Sequence, residues 1–141
     1  MLEEVQSYIP HNKEINVIDA TFGGGGYSRA ILGKFDVKRL VAIDRDPISK
    51  IFARDLNKKY NNFSLVNGCF GNIDQLIFNN SQIKKIKFDV IIFDLGLSSN
   101  QLDNGNRGFS FKYDGPLDMT MGSSSTKASD IINSYSEEQL A

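Results

Sequence analysis

Apolar residues occur in short blocks at regular intervals, and the blocks alternate between two periods. Ile15–Asp19, Leu40–Ile43, Phe63–Val66 and Phe88–Phe93 are brief, nearly continuous and rich in β-branched or aromatic residues. Such blocks predict buried strands. The intervals between them have helical spacing. Leu2, Val5 and Ile9 form one stripe, closed by Pro10. Tyr27–Leu32 forms a second helix, with Gly33 as its C′ residue. In the third, Asp46 is expected as N-cap and Pro47 as the first helical residue. Ile48, Ile51, Phe52 and Leu56 then make the apolar face, Lys50 and Arg54 lie on the solvated face, and Lys58 and Lys59 sit near the C-terminal dipole. Phe70 opens a fourth helical stretch through Ile73, Leu76 and Ile77. The order β-α-β-α-β-α-β predicts an α/β fold with a parallel sheet.

The first strand runs into Asp19-Ala20-Thr21-Phe22-Gly23-Gly24-Gly25-Gly26-Tyr27. Glycines allow a tight turn and close approach of a ligand, and the helix behind them offers unpaired N–H groups. A small molecule with a polar or anionic group is expected over Gly23–Gly26. The dinucleotide fingerprint G-x-G-x-x-G fails in both registers, with Arg29 or Ser28 where its third glycine belongs. No Gly-Lys-Ser/Thr P-loop ending is present either. An acid at the strand end followed by glycines is closer to the first motif of S-adenosylmethionine-dependent methyltransferases. The alternative is a glycine turn that serves only the chain.

Parallel sheets bind ligands beyond the carboxyl ends of their strands. Asp19, Asp44 and Asp94 each end a predicted strand, which places three carboxylates on one edge. Asp44 stands 25 residues after Asp19, near the spacing at which an acid meets ribose hydroxyls. It would repel a ribose phosphate, which disfavours NADP. After Asp94 the periodicity stops. Residues 95–122 are too apolar for simple disorder, with Phe109, Phe111, Tyr113, Leu117, Met119 and Met121 among them. An ordered loop over the strand ends is expected, its aromatics either stacking a flipped base or anchoring the loop. Lys127–Tyr135 predicts a short helix. Ser136-Glu137-Glu138-Gln139 has the form of a capping box, so the chain reads as one cut inside a larger protein.

Composition narrows the classes. The 141 residues carry a net charge of −1, which gives no global basic signature for nucleic acid but leaves room for a local patch. A lone cysteine, Cys69, excludes an intrachain disulfide and fits a reducing compartment. With His11 the only histidine, a structural zinc site is not expected. The start Met1-Leu2-Glu3-Glu4 lacks a signal-peptide pattern, and Val90–Phe93 is too short to cross a membrane. Lys84, Lys85 and Lys87 read as a solvated loop.

Five blocks together carry a resemblance. They are Asp19–Gly26, Ala42-Ile43-Asp44-Arg45-Asp46-Pro47, Phe93-Asp94-Leu95-Gly96-Leu97-Ser98-Ser99, Arg107–Phe111, and Asp114-Gly115-Pro116-Leu117-Asp118-Met119. Over nearly its whole length the chain resembles the bacterial 16S ribosomal RNA (cytosine-N4)-methyltransferases. The resemblance implies a Rossmann-like class I methyltransferase fold, here incomplete. Residues 1–122 would form part of the S-adenosylmethionine-binding core, and 123–141 would start an inserted helical substrate domain. It implies S-adenosyl-L-methionine as methyl donor and a cytidine in the decoding region of small-subunit rRNA as target, in the cytoplasm. Its cofactor positions fall on Gly25, Gly26, Tyr27, Asp44, Phe70, Asp94 and Gln101. Asp94, Ser98 and Ser99 are the candidates for handling the target amine.

The chain departs from the family pattern at three places: Tyr27 replaces a usual His, Asn100 a usual Pro, and Thr120 a usual Arg. In the implied strand order three-two-one-four, strand four is an edge, and self-association through it is expected. Two other readings remain: a non-catalytic fragment that at most binds cofactor, and an NAD-dependent oxidoreductase.

Overall fold

The computed structural model describes residues 1–122 and 124–141. It divides into two compact units, Met1–Leu95 and Gly96–Ala141. The boundary expected between residues 122 and 123 rests on Ser123, which lies outside the described residues.

The first unit is a parallel sheet in the order β3-β2-β1-β4. Its strands are β1 (Ile15–Asp19), β2 (Val37–Asp44), β3 (Phe63–Asn67) and β4 (Val90–Ile92). The helices are α1 (Leu2–Ser7), α2 (Gly26–Lys34), α3 (Ser49–Lys59) and α4 (Ile73–Phe78), and α4 follows a 3-10 turn at Phe70–Asn72. Side chains alternate across the sheet. Val17, Leu40, Ala42 and Ile92 face the layer that holds Ile31, Leu32, Ala53 and Leu56. Ile18, Ala20 and Ile43 face the other layer, where Ile73, Leu76 and Ile77 of α4 pack with Phe88.

β1 is central because it is apolar on both faces: Ile15, Val17 and Ile18 have no exposed surface. The entry to β4 is tied to β1 at Asn16. Asn16 N–H donates to Asp89 Oδ2 at 2.9 Å, and Asp89 N–H donates to the Asn16 carbonyl at 2.9 Å.

The local differences from the sequence reading have physical causes. Helix α3 begins at Ser49, two residues after Pro47, because the turn before it is closed by i→i+3 bonds, Ser49 N–H to the Asp46 carbonyl at 3.1 Å and Lys50 N–H to that of Pro47 at 3.2 Å. The Asp46 carboxylate accepts the Ile48 N–H at 3.2 Å, and its carbonyl accepts the Ser49 hydroxyl at 2.7 Å. The buried face of α3 is Ser49, Ala53 and Leu56, and Ile51 is exposed, so the apolar stripe is rotated by about one residue. Gly33 lies inside α2, which ends at Phe35 in extended backbone. β4 is shorter than the apolar block that predicted it, because only Val90–Ile92 pair with β1.

The second unit contains α5 (Ser99–Leu102), a 3-10 turn at Gly105–Arg107, α6 (Ala128–Ser134) and α7 (Glu137–Leu140). The start of α6 is fastened to the preceding loop. Ala128 N–H donates to the Asp118 carbonyl at 2.8 Å, and Ser129 N–H to the Leu117 carbonyl at 3.0 Å. The expected capping at α7 is present: Ser136 N–H donates to Gln139 Oε1 at 2.9 Å. No helix among the described residues is long and apolar enough to cross a membrane.

Candidate functional site

The carboxyl ends of β1, β2 and β4 lie side by side, and the glycine turn leaves from the middle one. The four glycines do different work. Gly23 (φ 52°) and Gly25 (φ 79°) occupy left-handed backbone, where a side chain is strained. A Cβ on Gly25 would also stand 2.8 Å from the Phe22 ring, which is buried in the core. Gly26 opens α2 with ordinary backbone; it is exposed, and a Cβ there would meet nothing within 4 Å. Gly23 and Gly25 therefore shape the turn, and the open space lies at Gly26.

The three strand-end carboxylates also separate. Asp19 is 1% exposed. Its Oδ2 accepts the Ser28 hydroxyl at 2.6 Å and its Oδ1 the Thr21 N–H at 3.3 Å, and the Ser28 backbone N–H adds a further bond. Asp19 thus caps the first turn of α2 from inside the core and is not available to a ligand. Of the three strand-end carboxylates expected on one edge, Asp19 is internal, and Asp44 and Asp94 are the two that reach the surface.

Burial pushes the Asp19 carboxyl above its ordinary value of 3.8, against the lowering effect of the Ser28 and Thr21 bonds. A raised folded pKa contributes stability that is complete below the unfolded value and lost as pH rises through the folded one. Urea unfolding from acid to neutral pH is expected to carry this falling component, and Asp19→Asn to remove it. Identical pH slopes in the two proteins would show that Asp19 titrates alike folded and unfolded.

Asp44 is half-buried and held by the backbone on both sides. Its Oδ2 accepts the Gly23 N–H at 2.6 Å, and its Oδ1 accepts the Asp46 N–H at 2.8 Å. Each oxygen keeps a second lone pair for a further donor. The acid is therefore fixed to the glycine turn.

Asp94 is exposed at the end of β4, and its N–H donates to Thr21 Oγ1 at 2.7 Å. Tyr27 is partly buried. Its phenol is pushed upward first by burial and then by the negative charges of Asp94 and Asp19, so at neutral pH it is a protonated donor. Phe70 and Phe93, both about half exposed, meet edge to face with ring centroids 5.6 Å apart.

Sequence reasoning missed Thr21, Ser28 and Phe93. Hydroxyl residues two and nine positions after a buried strand-end acid were the available signal for the first two. Phe93 reads in the sequence as a strand end and part of one resemblance block, with no signal of its contact with Phe70.

The remaining expected residues belong to the second unit. Gln101 is buried, and its Oε1 accepts the Ser98 N–H at 3.0 Å, closing a capping box on α5. Ser99 is the first residue of that helix. Thr120, one of the departures from the resemblance, donates its hydroxyl to Asp118 at 2.5 Å. Among the described residues no group of His, Cys, Asp and Glu is placed to hold a metal ion.

A parallel α/β sheet with a glycine turn after its central strand, and an acid at the end of the next, is a Rossmann-like nucleotide-binding architecture. Comparison with known sequences narrows that class: the model of the MraW methylase family matches residues 1–141, and the chain belongs to this family. Similar curated proteins are named ribosomal RNA small subunit methyltransferase H. That of Rhodospirillum rubrum is 44% identical over 142 residues, covering 100% of this chain and 42% of that protein. That of Wolbachia sp. subsp. Drosophila simulans is 46% identical over 143 residues, covering 100% and 47%. That of Wolbachia pipientis subsp. Culex pipiens is 50% identical over 134 residues, covering 94% and 44%. The chain spans less than half the length of these relatives.

Proposed function

We propose that this chain carries the S-adenosyl-L-methionine site of an enzyme that methylates N4 of a cytidine in the decoding region of 16S rRNA. The observation that carries the reading is the bond from Gly23 N–H to Asp44 Oδ2, which joins the acid and the glycine turn into one unit. The residues suit a nucleoside sulfonium. Asp44 offers lone pairs to two ribose hydroxyls and carries no partner for a ribose phosphate. Gly26 leaves open space at the helix start, and Gly25 holds the turn that presents it. Phe70, supported by Phe93, offers an apolar face for adenine. Tyr27 supplies a protonated donor beside Asp94, in place of the family's histidine.

When bound, the cofactor supplies an electrophilic methyl group. The protein must hold the cytosine amine in line with it. That amine's lone pair is delocalised into the ring, so an acceptor for its N–H localises it. Asp94, exposed and with its backbone fixed by Thr21, is the acceptor we assign. The hydroxyls of Ser98 and Ser99 stand a few residues further along the chain. Residues 123–141 fit the start of a substrate domain in this reading.

Titration calorimetry is expected to show binding of S-adenosylmethionine in preference to NAD. Asp44→Ala should weaken it by about 1–3 kcal/mol, the loss of a charged acceptor. Asp44→Asn keeps one acceptor for the turn and should still lose affinity. Equal affinity in both variants would remove Asp44 from the ribose site, and preference for NAD would favour the oxidoreductase. Methyl incorporation into small ribosomal subunits reads the whole reaction. Cofactor binding without incorporation would leave the chain as a binding piece alone.

A further inference from the structure

Phe109, Phe111 and Tyr113 alternate along the loop of the second unit, and the structure gives them different roles. Phe109 is buried, with the Arg107 guanidinium 5.7 Å from its ring centre. Arg107 in turn donates to the Thr120 carbonyl at 2.9 Å, which fastens this end of the loop. Phe111 is fully exposed, and Tyr113 is about half exposed. Phe109 is therefore the anchor, and the other two rings face solvent.

The stem beneath them is clamped by close backbone crossings. A Cβ on Gly115 would stand 2.0 Å from the Gly105 carbonyl oxygen, and one on Gly108 (φ 73°) would stand 2.2 Å from that of Pro116. Only glycine permits such approach. Ser110 then pins the tip: its Oγ accepts Lys112 N–H at 3.2 Å and Tyr113 N–H at 3.3 Å. This tip holds an aromatic ring in water on a braced loop.

The chemistry of the tip selects its partner. Lys112 is the only charge between Gly108 and Tyr113, and its Nζ lies 5.2 Å from the Tyr113 ring centre. Asp114, the next acid, is exposed, and its Oδ1 accepts the N–H of its neighbour Gly115 at 3.0 Å. Ring, cation, ring in succession matches a strand of bases joined by phosphates, because every base has a π-face and every link a negative charge.

We propose that Phe111, Lys112 and Tyr113 form a stacking platform for unpaired RNA bases. This deepens the RNA-methyltransferase reading and rests on it.

The test uses a fluorescent single-stranded oligoribonucleotide and its duplex, with anisotropy as readout and cofactor calorimetry alongside. Phe111→Ala is expected to weaken single-strand binding by about 5- to 100-fold. Phe111→Trp should restore binding, whereas Phe111→Leu, equally apolar, should not. Lys112→Ala should lower the salt slope by about one. Phe111 is exposed, so these variants should keep the fold and the wild-type cofactor affinity. Unchanged RNA affinity in Phe111→Ala, full rescue by leucine, no RNA binding by the wild type, or a change only in self-association would each overturn the platform. Failure of the wild type to bind cofactor would strike the functional reading instead.

Discussion

Gly25→Val is expected to destabilise the protein by about 2–6 kcal/mol, whereas Gly26→Val, one residue later, should leave stability within about 1 kcal/mol and weaken cofactor affinity. At Gly25 two costs add. A β-branched residue at φ 79° is strained by about 1–3 kcal/mol, and its Cβ meets the Phe22 ring at 2.8 Å, an overpacking worth about 1–3 kcal/mol more. Phe22 is 3% exposed and packs on Phe63 with ring centroids 5.7 Å apart, so the ring has nowhere to retreat. At Gly26 neither cost applies. A valine there intrudes only on whatever occupies the open space, and the same overpacking figure corresponds to a loss of about 5- to 150-fold in affinity. Thermal unfolding and titration calorimetry on the two variants check the pair. A stable Gly25→Val would mean that Phe22 yields. Full affinity in Gly26→Val would place the ligand elsewhere.

That pair also shows what the sequence could and could not reveal. Four glycines after a strand announce a turn and a binding place, and so they read. Which glycine serves the turn depends on Phe22 folding back beneath it, and no local pattern carries that. The same holds for Asp19. As a strand-end acid it looks equivalent to Asp44 and Asp94, yet Ser28, nine residues away, turns it into an internal cap.

Strand order came from the resemblance, which the observed β3-β2-β1-β4 matches, whereas the strands themselves were legible because their blocks were strongly apolar. Helix edges were not. Asp46 caps the entry as its type suggests, but the turn it opens is closed by i→i+3 bonds and α3 starts only at Ser49. Gln101 was expected at the cofactor from the resemblance alone. In the structure it closes a Ser-x-x-Gln box as its fourth residue, a signal the sequence carries.

The chain is expected to self-associate through β4, and Ile91→Lys to abolish the association. In the observed order β4 pairs only with β1, so its outer N–H and C=O groups have no strand partner among the described residues. Such an edge recruits other chains. Its apolar surface adds to the risk: Ile91 is 51% exposed and Phe93 49%, on the face that α4 covers further along the sheet. β3, the opposite edge, is the less adhesive, with Ser64 and Asn67 in its length and Phe63 buried. The strength of the association is limited by length. A three-residue strand makes few ladder bonds, so the side chains must carry most of the contact. Burying two residues of this size contributes about 1.5–3 kcal/mol each before the cost of association. Sedimentation velocity should therefore show a weak, concentration-dependent species, and a lysine at position 91 should leave only the monomer by placing a charge on the edge. A wild-type chain that stays monomeric at every concentration would show that three residues of open strand are too short to recruit a partner.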